Sequence, residues 1–579
     1  MGKKIIIGSI LFLTVLAGIT TYLFFNAEDI ANTIIRNDIV KKYNESENSH
    51  YLISIDDINL NIISGSIKLL DIKLIPKDSL VILKRDSDGK TLENTFFHLH
   101  IHEISLTGFD ILKAFNERVI SAQSFLVSEP RMAIYHYSDL PVVEEIQQDT
   151  VDFRGLFINH YDSFNLGEFS FDDISITYHT IDSLNDTTEL LTVNNLSYGM
   201  YGVIVTKETL YSPEYVQVDR YLLQSKNIDI QLQDKSYISI GSILYDSDTR
   251  NLHIQMVDFN PCKNPKQFFA QQKYRKGWID FKLDECVISN INFMEWVTNE
   301  KMYADSIFID NLELDLHTNL TLPHPPNVVK PMLGDLIKAL PIPVHIANLL
   351  IINTSIKVDL LGRLTPIHGK LDFTQMNIQA QNLTNIPEEI DENSMLDIHV
   401  KTKINGTGTI NSRIKVHLDS PTSLTQFSVN AKNLDLKKFN SVLKPIIRVS
   451  VNDGQIKSMK IRSTLSSNGA IGTMDAHYKD LKIQLESKNQ GQKPGFFNNM
   501  ASGLANGILK TENIPGTPYY HQSKFKISKM PYQNFFTLLW MITFHGLEDS
   551  ILGSNTKDER NQRKKEKQAQ PKKKLFNFK

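Results

Sequence analysis

Three histidines at alternate positions are the residues whose type and spacing most suggest chemistry. His98, His100 and His102 lie in the stretch FFHLHIHEISLTGF. Alternate residues of a β-strand point to one side about 6.6 Å apart, and histidines placed in this way can bind zinc. The sequence identifies no further ligand, so the alternatives are a metal site and the polar face of a solvated strand.

An internal repeat favours the strand. Residues 97–127 match residues 279–309, and both copies read as a strand, a short apolar helix and a second strand. The three histidines correspond to Asp280, Lys282 and Asp284, whereas the residues between them stay apolar. Because one face keeps its apolar residues and the other is merely polar, we expect a solvated strand face, no metal and no other cofactor.

Motifs that carry catalysis do not occur in the 579 residues. The sequence has no phosphate-binding glycine loop, no GxSxG elbow, no HExxH pair and no CxxC pair. Its two cysteines, Cys262 and Cys286, form either one bridge or two free thiols. We therefore predict that the chain is not an enzyme.

The N-terminus predicts a membrane anchor. Residues 1–4 form a short basic flank, and residues 5–25 carry no charge. A helix of this length reaches about 31 Å, which matches one bilayer hydrocarbon core. A cleaved signal peptide would have a shorter apolar run and a small-residue cleavage site. We expect a retained, single-pass anchor with residues 1–4 in the cytoplasm and residues 26–579 across the membrane.

Beyond the anchor, the hydrophobic pattern is that of many short β-strands. Apolar and polar residues alternate in stretches such as SIKLLDIKLI and SRIKVHLDS. Strict alternation indicates one buried and one solvated face, which is typical of antiparallel sheets. We divide this part into a β-rich region at 26–322, a proline-rich segment with one short helix at 323–343, and a second β-rich region at 344–486.

The C-terminal part is predicted to be a helical or interfacial segment at 487–556 and a disordered polybasic tail at 557–579. The apolar stretch within 535–544 is too short to span a bilayer. It suits either a core helix or a helix at a membrane surface. The tail holds ten Lys/Arg against three Asp/Glu in a chain of net charge −3. The residues predicted to lie at a membrane surface are Phe535, Phe536, Trp540, Lys572, Lys573 and Lys574.

Three stretches of the chain resemble the AsmA-like family of the Gram-negative envelope. They are INLNIISGSIKLLDIKLI, ISLTGFDILKAFNERVISAQSFLVSEPRMAIY, and the region from DLKKFN to KIQL that ends at residue 485. Members of this family are inner-membrane-anchored periplasmic proteins whose sheets curl into an open, apolar groove. They are implicated in outer-membrane biogenesis and phospholipid movement. The resemblance implies a mainly β fold: a transmembrane helix, long antiparallel sheets curled into a taco-like groove, and a few short helices.

The resemblance and the strand pattern together predict a periplasmic protein that binds or conducts phospholipid. Its expected partners are phospholipid, the inner membrane, and the outer membrane or its assembly proteins, but not nucleic acid. The alternative is an assembly factor that affects outer-membrane protein insertion through sheet edges without carrying lipid. A closed sandwich is the alternative to an open groove. The predicted lipid-contacting residues are Leu99, Ile101, Ile104, Leu106, Phe281, Leu283, Ile288, Ile414, Val416, Leu418, Phe427 and Val429.

Overall fold

The structure is a computed structural model that covers part of the chain. It describes residues 40–45, 51–61, 64–77, 95–137, 161–181, 187–211, 216–232, 234–363, 367–485, 509–517 and 520–553. The predicted anchor at 5–25 and the predicted tail at 557–579, with its three lysines, lie outside these residues. Within the described ranges, no helix is both long and apolar enough to cross a membrane.

The described residues form nineteen strands and nine helices, so the prediction of a mainly β protein with a few helices is confirmed. The strands are β1 Tyr51–Asn61, β2 Ser66–Pro76, β3 Thr95–Thr107, β4 Val119–Tyr137, β5 Ser163–Ile181, β6 Thr187–Thr206, β7 Arg220–Gln231, β8 Tyr237–Asp246, β9 Asn251–Asn260, β10 Gly277–Ser289, β11 Met302–Asn319, β12 Val344–Leu361, β13 His368–Thr384, β14 Met395–Ile404, β15 Thr407–His417, β16 Thr425–Asp435, β17 Val449–Ser466, β18 Gly469–Leu485 and β19 Ser523–Ser528. The helices are α1 Lys41–Glu45, α2 Ile111–Asn116, α3 Lys207–Tyr211, α4 Pro265–Ala270, α5 Phe293–Asn299, α6 Leu333–Lys338, α7 Pro387–Glu392, α8 Asn440–Ile447 and α9 Phe535–Leu552.

The chain divides into two compact units. Unit 1 comprises Met1–Cys262 and Leu283–Asp305, and unit 2 comprises Lys263–Lys282 and Ser306–Lys579. The proline-rich segment at 323–343, where the sequence suggested a boundary, lies within unit 2 and contains the short helix α6.

Both copies of the internal repeat contain a strand, a short helix and a second strand. The first copy contains β3, α2 and β4, and the second contains β10, α5 and β11. The two helices begin in the same way: the side chain of Asp110 accepts a hydrogen bond from the Lys113 N–H, and that of Asn292 accepts one from the Glu295 N–H. Such caps satisfy backbone donors that a helix leaves free in its first turn.

In unit 1, strands β1 to β9 pair in chain order. Seven of these eight pairings are antiparallel, and the pairing of β4 with β5 is parallel. Antiparallel neighbours need only a short turn, whereas parallel neighbours need a long return connection. The chain provides one here, because residues 138–162 separate β4 from β5.

Left-handed residues interrupt several strands of unit 1. Asp71 in β2, Asp173 in β5, Asn195 in β6 and Asn227 in β7 have φ values of 50°, 54°, 51° and 59°. Asparagine and aspartate adopt this conformation more readily than other non-glycine residues. The β5–β6 register shifts around Asp173 and Asn195. Such β-bulges bend the strand and increase its twist, which curves a sheet.

In unit 2, strands β12 to β19 also pair in chain order, all antiparallel. One face of this sheet is covered by helices. The covering residues include Ile337 of α6, Val442 of α8, and Phe535, Leu538 and Ile542 of α9, all of which belong to one buried apolar cluster with the strands. The apolar stretch at the C-terminus is therefore part of a core helix, one of its two predicted alternatives.

Candidate functional site

The most distinctive surface of unit 1 is an apolar face that continues across all nine of its paired strands. Nine residues that are register partners from strand to strand form what we call the first row. They are Ile53, Leu74, Leu99, Met132, Ile176, Val193, Ile228, Ile240 and Val257. At about 4.8 Å between strands, eight steps extend about 38 Å along the sheet. All nine side chains are apolar.

A second row lies two positions from the first on the same face. It runs from β3 to β9 and consists of Phe97, Ile134, Tyr178, Leu191, Ile230, Ile238 and Phe259. Its residues are half-buried, as are those of the first row apart from the buried Ile228. Fifteen of these sixteen neighbouring apolar side chains therefore retain contact with solvent and form an unusually large apolar surface.

Burial increases toward the other end of the strands. There Phe125 and Phe169 stack with ring centroids 5.4 Å apart, and Val127 and Val203 are fully enclosed. These residues belong to a buried cluster that β2 to β6 share. Burial also raises the pKa of the Tyr198 phenol above its usual range, because the charged form would lose its water. The face is thus closed at one end of the strands and half-open at the other.

The opposite face of β7 and β8 is mainly polar, with the exposed Leu244 as an exception. On β7 and β8 it presents Gln224, Lys226, Asp229 and Ser239. The Ser239 hydroxyl donates a 2.7 Å hydrogen bond to Asp229 Oδ1. On these two strands the continuous apolar rows therefore lie on one face, and that face suits an apolar ligand better than the other.

The predicted lipid-contacting residues on β3 lie on this face with graded exposure, and three others lie on β10. Leu99 is half-buried in the first row, whereas Ile101, Ile104 and Leu106 are buried in the closed cluster. On β10, Phe281 and Leu283 are half-buried and Ile288 is buried. Of the predicted residues in unit 1, Leu99 is the one that belongs to the half-open rows.

The residues predicted in unit 2 lie in a filled core. Ile414, Val416, Leu418, Phe427 and Val429 are all buried, and they pack in the cluster that α6, α8 and α9 help to form. An acyl chain would have to displace a helix to reach them. In unit 2 the apolar strand face is therefore covered by the chain itself, as in the closed alternative considered from the sequence.

The predicted membrane-surface residues on α9 divide into two groups. Phe536 and Trp540 are 66% and 38% exposed and lie one helical turn apart. Phe535, in contrast, is 1% exposed and packs in the unit 2 core, so it is not available to a membrane. Helix α9 therefore packs one side in the core and presents two aromatic rings to solvent on another.

The three histidines lie on the polar face of β3. His98 and His102 are exposed and His100 is half-buried. Across the strand pair, Asp71 Oδ1 lies 3.2 Å from His100 Nε2 and 3.6 Å from His102 Nδ1. The hydrogen bond from His100 lowers the pKa of the Asp71 carboxyl. No group of three or more such side chains in the described part of the chain is arranged to hold a metal ion.

The two cysteines are free thiols, so the structure has no bridge between them. Cys262 is exposed and Cys286 is buried. Burial, with a smaller contribution from Glu285, raises the pKa of the Cys286 thiol to about 11. Cys286 is therefore a packing residue rather than a reactive nucleophile.

The sequence-based prediction missed the half-open rows on β6 to β9. The alternation that marks them is present in NIDIQL and YISIGSIL, but these stretches carry no resemblance to the AsmA-like family. Their joining into continuous rows depends on strand register, which alternation alone does not determine.

No known family model matches the chain, and no curated protein matches it. The likeness to the AsmA-like family therefore remains a prediction that depends on the three stretches quoted above.

Proposed function

We propose that this chain is a membrane-anchored periplasmic protein of outer-membrane biogenesis that binds or conducts phospholipid along an apolar β-groove. The observation that carries this proposal is the pair of half-open rows on unit 1. The predicted anchor at 5–25 and the resemblance to the AsmA-like family supply the location and the biological setting.

The chemistry of the rows favours an acyl chain as the ligand. Their side chains are aliphatic or aromatic from β3 to β9, and successive residues are register partners without a polar interruption. Covering apolar surface is favourable by about 25 cal/mol per Å², and it needs no directional partner. A flexible hydrocarbon chain lying across the strands would gain this free energy at each strand.

The bulges support a curved binding surface. Left-handed residues such as Asp173 and Asn195 bend neighbouring strands at matching positions, since their side chains also meet: Asn195 Nδ2 donates a 2.7 Å hydrogen bond to Asp173 Oδ1. A sheet that bends in the same direction on successive strands forms a trough. The proposal therefore assigns acyl chains to the half-open rows and the bulges to the shaping of the trough.

Site-specific photocrosslinking tests this function. A benzophenone amino acid at Ile240, in the first row, should crosslink to phospholipid in cells. The same group at Ser239, the preceding residue on the opposite face, is the matched control and should not. Mass spectrometry of the crosslinked protein identifies the adduct. Equal labelling at both positions would refute the groove, and crosslinks to outer-membrane proteins without phospholipid would favour the assembly factor.

A further inference from the structure

Unit 2 carries a concentration of cations on the sheet face opposite its apolar core. Two register rows across β15 to β19 define what we call the basic face. One row is Arg413, Ser428, Arg462, Thr473 and Lys524, and the other is Lys415, Gln426, Thr464, Ile471 and Lys526. Five of these ten residues are lysine or arginine, and none is acidic.

The basic face is concave. Its side chains line a depression of about 860 Å³ whose floor includes the residues between the two rows, such as Phe427 and Phe525. The side chains of these two phenylalanines are buried in the unit 2 core, so they contribute to the floor from below. The depression is wide open to solvent, so it suits a ligand that lies on the surface rather than one enclosed in a cavity.

Little of the positive charge is neutralised by the protein. Arg413 Nε donates a 2.9 Å hydrogen bond to Asp397 Oδ1, and the same carboxylate also attracts Lys415. Across the ranges that the structure describes, Arg462, Lys524 and Lys526 have no carboxylate partner. Asp475, further along β18, is occupied by His477 at 2.8 Å and by the Tyr520 hydroxyl at 2.9 Å. The depression therefore favours an anion.

An exposed apolar side chain lies among these cations. Ile471 is 59% exposed, and its register partners are Thr464 and Lys526. Strict alternation would place a polar residue here, as it does on the neighbouring strand β19. An apolar contact beside several cations fits a ligand that is anionic and amphiphilic.

We propose that the basic face binds the phosphate-bearing headgroup of an anionic phospholipid. Arginine and lysine recognise phosphate oxygens, and Ile471 would contact the glycerol and the first methylene groups of the lipid. The geometry favours lipid over nucleic acid because the phenylalanines of the depression are buried and leave no ring on which a base would stack. This site is separate from the rows of unit 1, so either proposal can fail without the other.

Calorimetric titration of the full chain in an uncharged detergent tests the proposal. The probes are dihexanoyl phosphatidylglycerol, dihexanoyl phosphatidylcholine and inorganic pyrophosphate. The double variant Arg462→Gln/Lys526→Gln removes two cations from the basic face. The double variant Lys437→Gln/Lys438→Gln removes the same charge from exposed positions next to α8 and serves as the control.

We expect phosphatidylglycerol to bind the wild-type chain and the control, and to bind the basic-face variant about tenfold or more weakly. An Ile471→Ser variant should weaken phosphatidylglycerol binding and leave any pyrophosphate binding unchanged. Equal binding of phosphatidylcholine, or equal losses in the two double variants, would overturn the proposal. Pyrophosphate binding as tight as that of phosphatidylglycerol would replace the lipid with a soluble phosphate compound.

Discussion

Ile228 and Ile240 lie directly opposite each other on β7 and β8, near the β9 end of an apolar row that crosses unit 1. Ile228 is buried and Ile240 is half-buried, so one strand spacing separates a closed position from one open to solvent. Because Ile240 is half-buried, a substitution there can remove a ligand contact without creating a cavity in a buried core.

An Ile240→Glu variant should lose most of the phospholipid that copurifies with the protein, because a carboxylate in the row opposes an acyl chain. The variant should still fold, since the side chain can reach water. Ser239→Glu places the same charge one residue away on the polar face and should retain the lipid. Lipid per protein, measured by mass spectrometry, distinguishes the two. Loss of lipid in both variants would count against a ligand on this face.

Leu418 fills the core beneath the helices of unit 2 and is 0% exposed. Leu418→Ala should lower the free energy of unfolding by about 2–5 kcal/mol, because it leaves a cavity that the packed helices do not fill. Leu336→Ala on α6, where the side chain is 45% exposed, is the control and should cost less than about 1 kcal/mol. Denaturant unfolding measures both. Similar losses would mean that the helices do not enclose the strands.

Arg413 and Asp397 form a hydrogen-bonded ion pair on the face opposite the core of unit 2. The hydrogen bond from Arg413 is the main reason why the pKa of Asp397 is lowered. A lowered pKa stabilises the fold above the unfolded pKa of about 3.9, and this stabilisation is lost as the pH falls through the folded value. We expect Asp397→Asn to be less stable than wild type near pH 7 and equally stable once the pH is well below the folded pKa of Asp397. A difference that persists in acid would contradict this assignment.

Phe536 and Trp540 present two aromatic rings to solvent on α9. Residues 26–579, separated from the predicted anchor, should float with anionic liposomes, and Phe536→Ser/Trp540→Ser should float less. Deletion of 557–579 should reduce flotation further, and high salt should reproduce the effect of the deletion. Tyr520→Ser, at a similarly exposed ring, is the control. Equal flotation of all variants would show that the C-terminal residues do not contribute to membrane binding.

Cys262 and Cys286 should differ in alkylation. Burial raises the pKa of Cys286 to about 11, so at pH 8 its thiol is almost entirely protonated and enclosed. Exposed Cys262 should be modified by iodoacetamide in the folded protein, and Cys286 only after denaturation. Intact mass before and after denaturation counts the added groups. A protein that takes up no reagent without prior reduction would instead contain the bridge.

The strands and their two-faced character follow from the sequence because alternation is a local property. The stretch around His100 is predicted to be a strand with one solvated face, and β3 is such a strand. Whether the apolar face of a strand is covered by other parts of the chain is not a local property. Val416 lies against Gly334 of α6, a helix separated from it in the chain by strands β12 to β14. No pattern around Val416 distinguishes a residue under a helix from one that faces a ligand.

The sequence also does not show which asparagines and aspartates form the bulges. Asn195 and Asp173 lie in polar stretches that resemble many loops, and their partnership depends on the pairing of β5 with β6. The same holds for Asp71, the carboxylate between His100 and His102, which belongs to another strand. Side-chain clusters built across strands require the register before they can be recognised.

The pairing of each strand in unit 1 with its neighbours in the chain has a consequence for evolution. Because β5 to β9 pair antiparallel in chain order, duplication or deletion of two successive strands would leave the flanking strands in the right directions to pair with each other. Each such event would change the length of the sheet by about 9.6 Å, since it adds or removes two strand spacings. The length of the unit 1 sheet can therefore change during evolution by whole pairs of strands, while the buried cluster of β2 to β6 stays the same.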